Sequence, residues 1–198
     1  MFIDKETYSL SETNYHKVEY GKTQIVIGHN SRKDMRHFES WVNRRNGNYK
    51  RTSAYTIDKD GTIYQHYDPK YYSDFLGHEQ DKNNIPITLV NEGWLMLDEN
   101  NVYVDWLGHI YSRNTDVLNR SWRDYRFWSK YTEEQMNSLN YLLQELCDEF
   151  NIEYTIKTNN VYDEDIDIFK GITFRSNYYQ ELTDVSPAFD IEKLMNDE

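Results

Sequence analysis

Apolar residues come in short bursts along this 198-residue chain, and their period changes from segment to segment. Gln24–Gly28 is a brief run rich in β-branched residues, too short for a helix, and predicts a buried strand. Ser31 or Asp34 can cap a helix, and Met35, Phe38, Trp41 and Val42 then share one face, which predicts a helix to about Arg45. Ala54–Asp58 and Thr62–His66 flank Lys59-Asp60-Gly61 and read as a β-hairpin. Ile85–Val90 predicts another strand, in which Pro86 suits an edge or a strand start. The strongest helical signal is Thr132–Phe150. Thr132 and Gln135 form a capping-box pair, Glu133 and Glu134 suit the positive end of the helix dipole, and Met136, Leu139, Leu143, Leu146 and Phe150 recur at the helical period. Ile172–Phe174 predicts a late strand, and Ser186-Pro187 opens a final helix carrying Phe189, Ile191, Leu194 and Met195.

Strands interleaved with helices predict an α/β fold, a single domain with a central mixed β-sheet flanked by helices. Residues 1–20 are polar and weakly patterned and read as an N-terminal arm, leaving 21–198 as the domain. Cys147 sits beside the apolar stripe of the long helix and reads as core.

A formal net charge of −12 changes the list of partners. It argues against a phosphate backbone, and so against nucleic acid, and against tight adhesion to anionic lipid or wall polymers. No apolar run is long enough to span a membrane, and the N-terminus has no apolar core of a secretory signal. Tyrosine is abundant at 18 residues while alanine occurs only at Ala54 and Ala188, a bias expected of AT-rich coding in phages and low-GC bacteria. The aromatic segments Trp94–Trp106 and Trp122–Trp128 read mainly as core, with contact area for partners as the other use. Asp163, Glu164, Asp165 and Asp167 lack the spacing and glycine of a calcium loop and read as a solvated loop.

The run Gln24-Ile-Val-Ile-Gly-His-Asn-Ser31 resembles the first strand of the zinc-dependent N-acetylmuramoyl-L-alanine amidases and peptidoglycan-recognition proteins, phage-borne branch. Further segments are similar in family order. Thr52–Gln65 resembles the "Ser-Ala-His/Tyr-apolar-Ile-Asp-x-Asp-Gly-Thr-Ile-Tyr" hairpin, and Asp68–Gly77 the segment ending "Tyr-His-Leu-Gly". Ile85–Gly93 resembles "Ser-Ile-Gly-Ile-Glu-Leu" with its turn, Trp122–Gln135 the approach to the long helix, and Asp184–Asp190 the closing "Asp-Pro-Gly-Pro-Ala-Phe-Asp". The resemblance implies an amidase fold over roughly residues 24 to 194.

It also implies where the chemistry belongs. In the family, two histidines and an aspartate or cysteine hold zinc, which activates water and polarises the muramoyl–L-alanine amide. The first histidine falls on Gly28, the second on Arg175 and the third ligand on Asp184; the glutamate of "Gly-Ile-Glu-Leu" falls on Thr88 and the histidine of "Tyr-His-Leu-Gly" on Phe75. Strand alternation turns His29 to the opposite face from Gly28, so His29 reads as a packed or hydrogen-bonded residue. The expectation is a pseudoenzyme that lacks catalytic residues, metal and cofactor, with an Arg175–Asp184 salt bridge across the old metal position. Asn30, Thr88, Arg175 and Asp184 are the candidate ligand contacts of the old groove. Expected partners are peptidoglycan or other virion proteins, with the chain in a phage virion or, before assembly or lysis, in the host bacterial cytoplasm. The alternative is an active endolysin or virion-associated amidase.

Overall fold

The computed structural model describes residues 2–195, with the side chain of Met195 outside that description. Among the described residues, ten strands and three α-helices follow one another: β1 (Ile3–Asp4), β2 (Gln24–His29), α1 (His37–Asn43), β3 (Tyr55–Ile57), β4 (Ile63–Gln65), β5 (Asn84–Leu89), β6 (Trp94–Leu97), β7 (Tyr103–Val104), β8 (Val117–Trp122), β9 (Tyr125–Ser129), α2 (Glu133–Phe150), β10 (Gly171–Phe174) and α3 (Ile191–Met195). Six strands make the main sheet in the order β1-β4-β3-β5-β2-β10. All its pairings are parallel except the β3–β4 hairpin, so the sheet is mixed and the domain α/β, as expected.

Alternation along the central strands separates two unlike faces. Ile25, Ile27 and His29 of β2 share one face with Ile85, Ile87 and Leu89 of β5, and the aliphatic members join a core cluster with Leu139, Leu142, Leu143 and Leu146 of α2. The opposite face carries Gln24, Val26 and Gly28 beside Asn84, Pro86 and Thr88. Val26 there packs in a smaller cluster with Phe75, Leu76, Ile166 and Tyr178. α2 begins at the predicted cap: Thr132 Oγ1 accepts from the Gln135 N–H at 3.1 Å, and the Gln135 side chain accepts from the Thr132 N–H at 3.2 Å. The hairpin turn closes over Gly61, whose φ of +85° favours glycine and whose missing Cβ would lie 2.9 Å from the Glu134 carbonyl.

Several elements differ from expectation. The first helix is only seven residues, His37–Asn43. Asp34 spends its carboxylate on the Arg36 N–H at 3.0 Å, a local turn that competes with helix propagation, and Ser31 sits at φ +52°. Strand β5 is central rather than at an edge. Pro86 is tolerated because it faces the start of β3, where its carbonyl accepts from the Ala54 N–H at 2.9 Å and a single ladder donor is missing. Residues 2–20 do not stand off the domain: β1 extends the main sheet, and Leu10 and Tyr15 enter the core. The final helix starts at Ile191 instead of Pro187.

The stretch after β5 builds a second, antiparallel sheet, β7-β6-β9-β8. Its β8–β9 turn is Arg123-Asp124, both at positive φ (46° and 66°), the two-residue geometry that matches strand twist. Trp128 is fully buried with its indole N–H on the Arg120 carbonyl at 2.8 Å, and Trp94 stacks on Tyr125 at 4.3 Å.

Among the buried histidines, His37 and His66 give the fold an acid limit. His66 Nδ1 donates to the Tyr8 carbonyl at 2.7 Å and Nε2 lies 2.7 Å from Thr56 Oγ1, which satisfies the neutral ring. Burial pushes both His66 and His37 down to about 4. A lowered folded value means that stability is fully present above about pH 6.5 and is lost as pH falls towards 4. Each ring contributes up to about 3 kcal/mol to that loss. Urea midpoints between pH 7 and 4 are expected to fall, and His66→Gln is expected to flatten the decline; an unchanged slope refutes the assignment.

Candidate functional site

The C-terminal end of β2 brings Gly28 to the polar face of the sheet, beside Thr88 of β5. Arg175 follows β10 directly, because the chain leaves the sheet there in a short 3-10 turn over Arg175–Asn177. The same loop returns at Asp184, whose carbonyl accepts from the Ser176 N–H at 2.7 Å. Arg175 and Asp184 therefore meet: Arg175 Nη1 lies 3.3 Å from Asp184 Oδ2. The Asp184 side chain is only 6% exposed, and its Oδ2 also accepts from the His29 N–H at 3.3 Å. The guanidinium stacks over Phe75 at 5.0 Å.

Gly28 makes this pair possible. A Cβ at position 28 would lie 2.5 Å from Asp184 Oδ2, 3.3 Å from Arg175 Cδ and 3.4 Å from Phe75 Cζ. The expected salt bridge is present, and it occupies the volume that a side chain at position 28 would need. These positions supply a single metal-binding group, Asp184, already engaged by the Arg175 guanidinium. A zinc site needs three protein donors of the His, Cys or carboxylate type, so the donor set does not fit the zinc implied by the resemblance. Among the described residues, no group of three or more His, Cys, Asp or Glu is placed to hold a metal ion.

The remaining candidates are close by but differently occupied. Thr88 is buried on the same face, and its Oγ1 has no hydrogen-bond partner among the described residues. The Asn30 side chain serves the local backbone: Oδ1 accepts from the N–H groups of Arg32 (3.1 Å) and Asn91 (3.2 Å), and Nδ2 donates to His37 Nδ1 at 2.8 Å. His29 points to the other face, buried, with Nδ1 2.8 Å from the Tyr131 hydroxyl; burial pushes its pKa below the usual imidazole range.

One contributor is invisible in the sequence. Arg123, on the β8–β9 turn, donates to the carbonyls of Tyr179, Leu182 and Ser176, and the Tyr179 hydroxyl donates to the Leu76 carbonyl at 3.0 Å. The second sheet thus straps down the loop that carries Arg175 and Asp184. Its cue would have been the two-residue turn, but the reach of Arg123 depends on packing between sheets.

The sequence profile of the N-acetylmuramoyl-L-alanine amidases matches residues 19–168. No curated protein matches in sequence. Among solved structures, the chain is similar to the N-acetylmuramoyl-L-alanine amidase LysC from Clostridium intestinale (16% identity, TM-score 0.56, 98% of this chain and 95% of that one). It is also similar to PlyL (9%, 0.54, 93% and 86%) and to AmiD from E. coli in complex with anhydro-N-acetylmuramic acid-L-Ala-D-gamma-Glu-L-Lys (14%, 0.56, 91% and 58%). At these identities the likeness is one of fold.

Proposed function

Because this chain belongs to the N-acetylmuramoyl-L-alanine amidase family, we propose that it keeps the family's fold without its zinc chemistry. In this reading it is a peptidoglycan-related, amidase-like pseudoenzyme of phage origin, used to bind wall material or to pack against other virion proteins. One observation carries the proposal: an arginine–aspartate pair, closed against a glycine that has no room for a side chain, stands where the resemblance puts the metal. A fixed guanidinium supplies positive charge there but neither activates water nor accepts a carbonyl into an open coordination position. A fold and its site are separable, so a groove can outlive the chemistry. Arg175 and Asn30, which keep some solvent exposure, are the proposed contacts to a glycopeptide; Thr88 and Asp184 lie beneath them.

The test pairs metal content with activity. Purified protein is expected to hold no more than trace zinc and to release no stem peptide from sacculi, even with zinc supplied. Stoichiometric zinc together with peptide release would establish the active amidase instead. Co-sedimentation with sacculi, set beside mass spectrometry of purified phage particles, separates wall binding from virion assembly.

A further inference from the structure

Strand β2 has chemically opposite surroundings at its two ends. Just past its C-terminal end, the Trp106 indole N–H donates to the Ser31 carbonyl at 2.9 Å, and the Arg32 guanidinium lies over the Trp106 ring at 4.7 Å. A cleft of about 260 Å³ opens here between residues 32–40 and the 105–109 loop. Arg32 and Lys33 line it, and among the described residues neither forms an ion pair. The acids beside them are already engaged: Asp34 with Arg36, and Asp105 with His109 and two backbone N–H groups. Its apolar wall is the exposed Leu107, with exposed Trp106 beside it under the Arg32 guanidinium. Arg32 is held ready by its ring contact, so it offers a planar fork at little ordering cost.

At the other end of β2, Gln24 Nε2 donates to the carbonyls of Ile166 (2.8 Å) and Phe169 (2.6 Å), which anchors the 161–168 loop. This loop has the complementary character. Glu164 and Asp165 are exposed and form no ion pair among the described residues, and they stand between exposed Val161 and Tyr162 and an Ile168 that is 80% exposed. Six strand residues separate the ends by roughly 20 Å, so the two surfaces cannot satisfy each other within one molecule.

We propose that they meet between molecules: the 161–168 loop of one copy docks in the Arg32–Lys33–Leu107 cleft of the next. The contact is head to tail, which builds a ring or a filament rather than a two-fold dimer. A protein with net charge −12 repels its own copies in general, so association requires local complementarity of this kind. The inference holds whether or not the Gly28 site is catalytic.

Sedimentation of the full chain across concentration tests it. Association is expected, weakened at least tenfold between about 50 mM and 500 mM salt because the paired charges are exposed. Arg32→Glu/Lys33→Glu and Glu164→Lys/Asp165→Lys are each expected to be monomeric alone. Mixed one to one, they are expected to associate, since the first retains a good loop and the second a good cleft. Circular dichroism confirms folding of each variant, and Leu107→Asn, neutral and in the cleft wall, tests the apolar contact and is also expected to dissociate the assembly. A wild-type chain that stays monomeric up to about 1 mM overturns the proposal and leaves the cleft to some other acidic partner; association that survives both reversals, or a mixture that stays monomeric, overturns it equally.

Discussion

Gly28→Ala is expected to lower unfolding stability by about 3 kcal/mol, an unusual cost for a single methyl group. Strand interiors ordinarily gain up to about 1 kcal/mol when glycine becomes alanine, because the unfolded chain loses freedom. Here the new Cβ would sit 2.5 Å from Asp184 Oδ2, inside any permitted contact. Gly28 lies in a paired strand, so the backbone cannot retreat without breaking register with β5. The carboxylate must move instead, and it leaves behind the Arg175 pair and the His29 N–H. A buried carboxylate without partners costs several kcal/mol, which outweighs the entropic gain. Gly21→Ala is the control, since nothing lies within 4 Å of its added Cβ, and is expected to stay within about 0.5 kcal/mol of the parent. Equal urea midpoints for the two variants would refute the close approach. The same geometry opposes a histidine at position 28 even more strongly, so that substitution alone is not expected to create a zinc site.

Arg175→Met is expected to cost about 2–3 kcal/mol at neutral pH. Methionine keeps a flexible apolar stem against Phe75, so the variant isolates the loss of charge. Breaking one side of a fully buried pair typically costs about 3–5 kcal/mol, but the Arg175 side chain is 27% exposed and solvent screens part of that penalty. Asp184→Asn is expected to cost less, about 1 kcal/mol, because the group left unpaired is the better solvated one. In a double-mutant cycle, a coupling of at least about 1 kcal/mol is expected. Additive single costs would mean the two groups are neighbours without a functional pair.

The pairing of these residues was expected only through the family resemblance, which puts the metal positions on Gly28, Arg175 and Asp184; no local pattern relates the three. What Gly28 was for was also legible in outline, since a residue without a side chain leaves room. How the site is covered was not. Phe75 packs over Gly28 and under Arg175 through a loop with no periodicity, and Arg123 arrives from a sheet whose strands are short and bulged. The helical apolar spacing from Met35 to Val42 predicts a longer helix than the seven-residue α1, because the Asp34 turn that delays the helix is a matter of one side chain choosing its own backbone.

Local pattern alone determined the α/β class, the capped α2, the β3–β4 hairpin and the face on which His29 lies, because helix and strand periods and caps are properties of neighbouring residues. Tertiary structure alone decided that β5 is central, that residues 2–20 complete the sheet, and that residues 94–129 form a second sheet whose Arg123 straps down the 175–184 loop. It also set the geometry of the pair that the resemblance implied, 3.3 Å between Arg175 and Asp184 in the space a side chain at Gly28 would need. Each of these is a contact between residues far apart in the chain, set by which apolar faces bury together, and short-range periodicity holds no record of it.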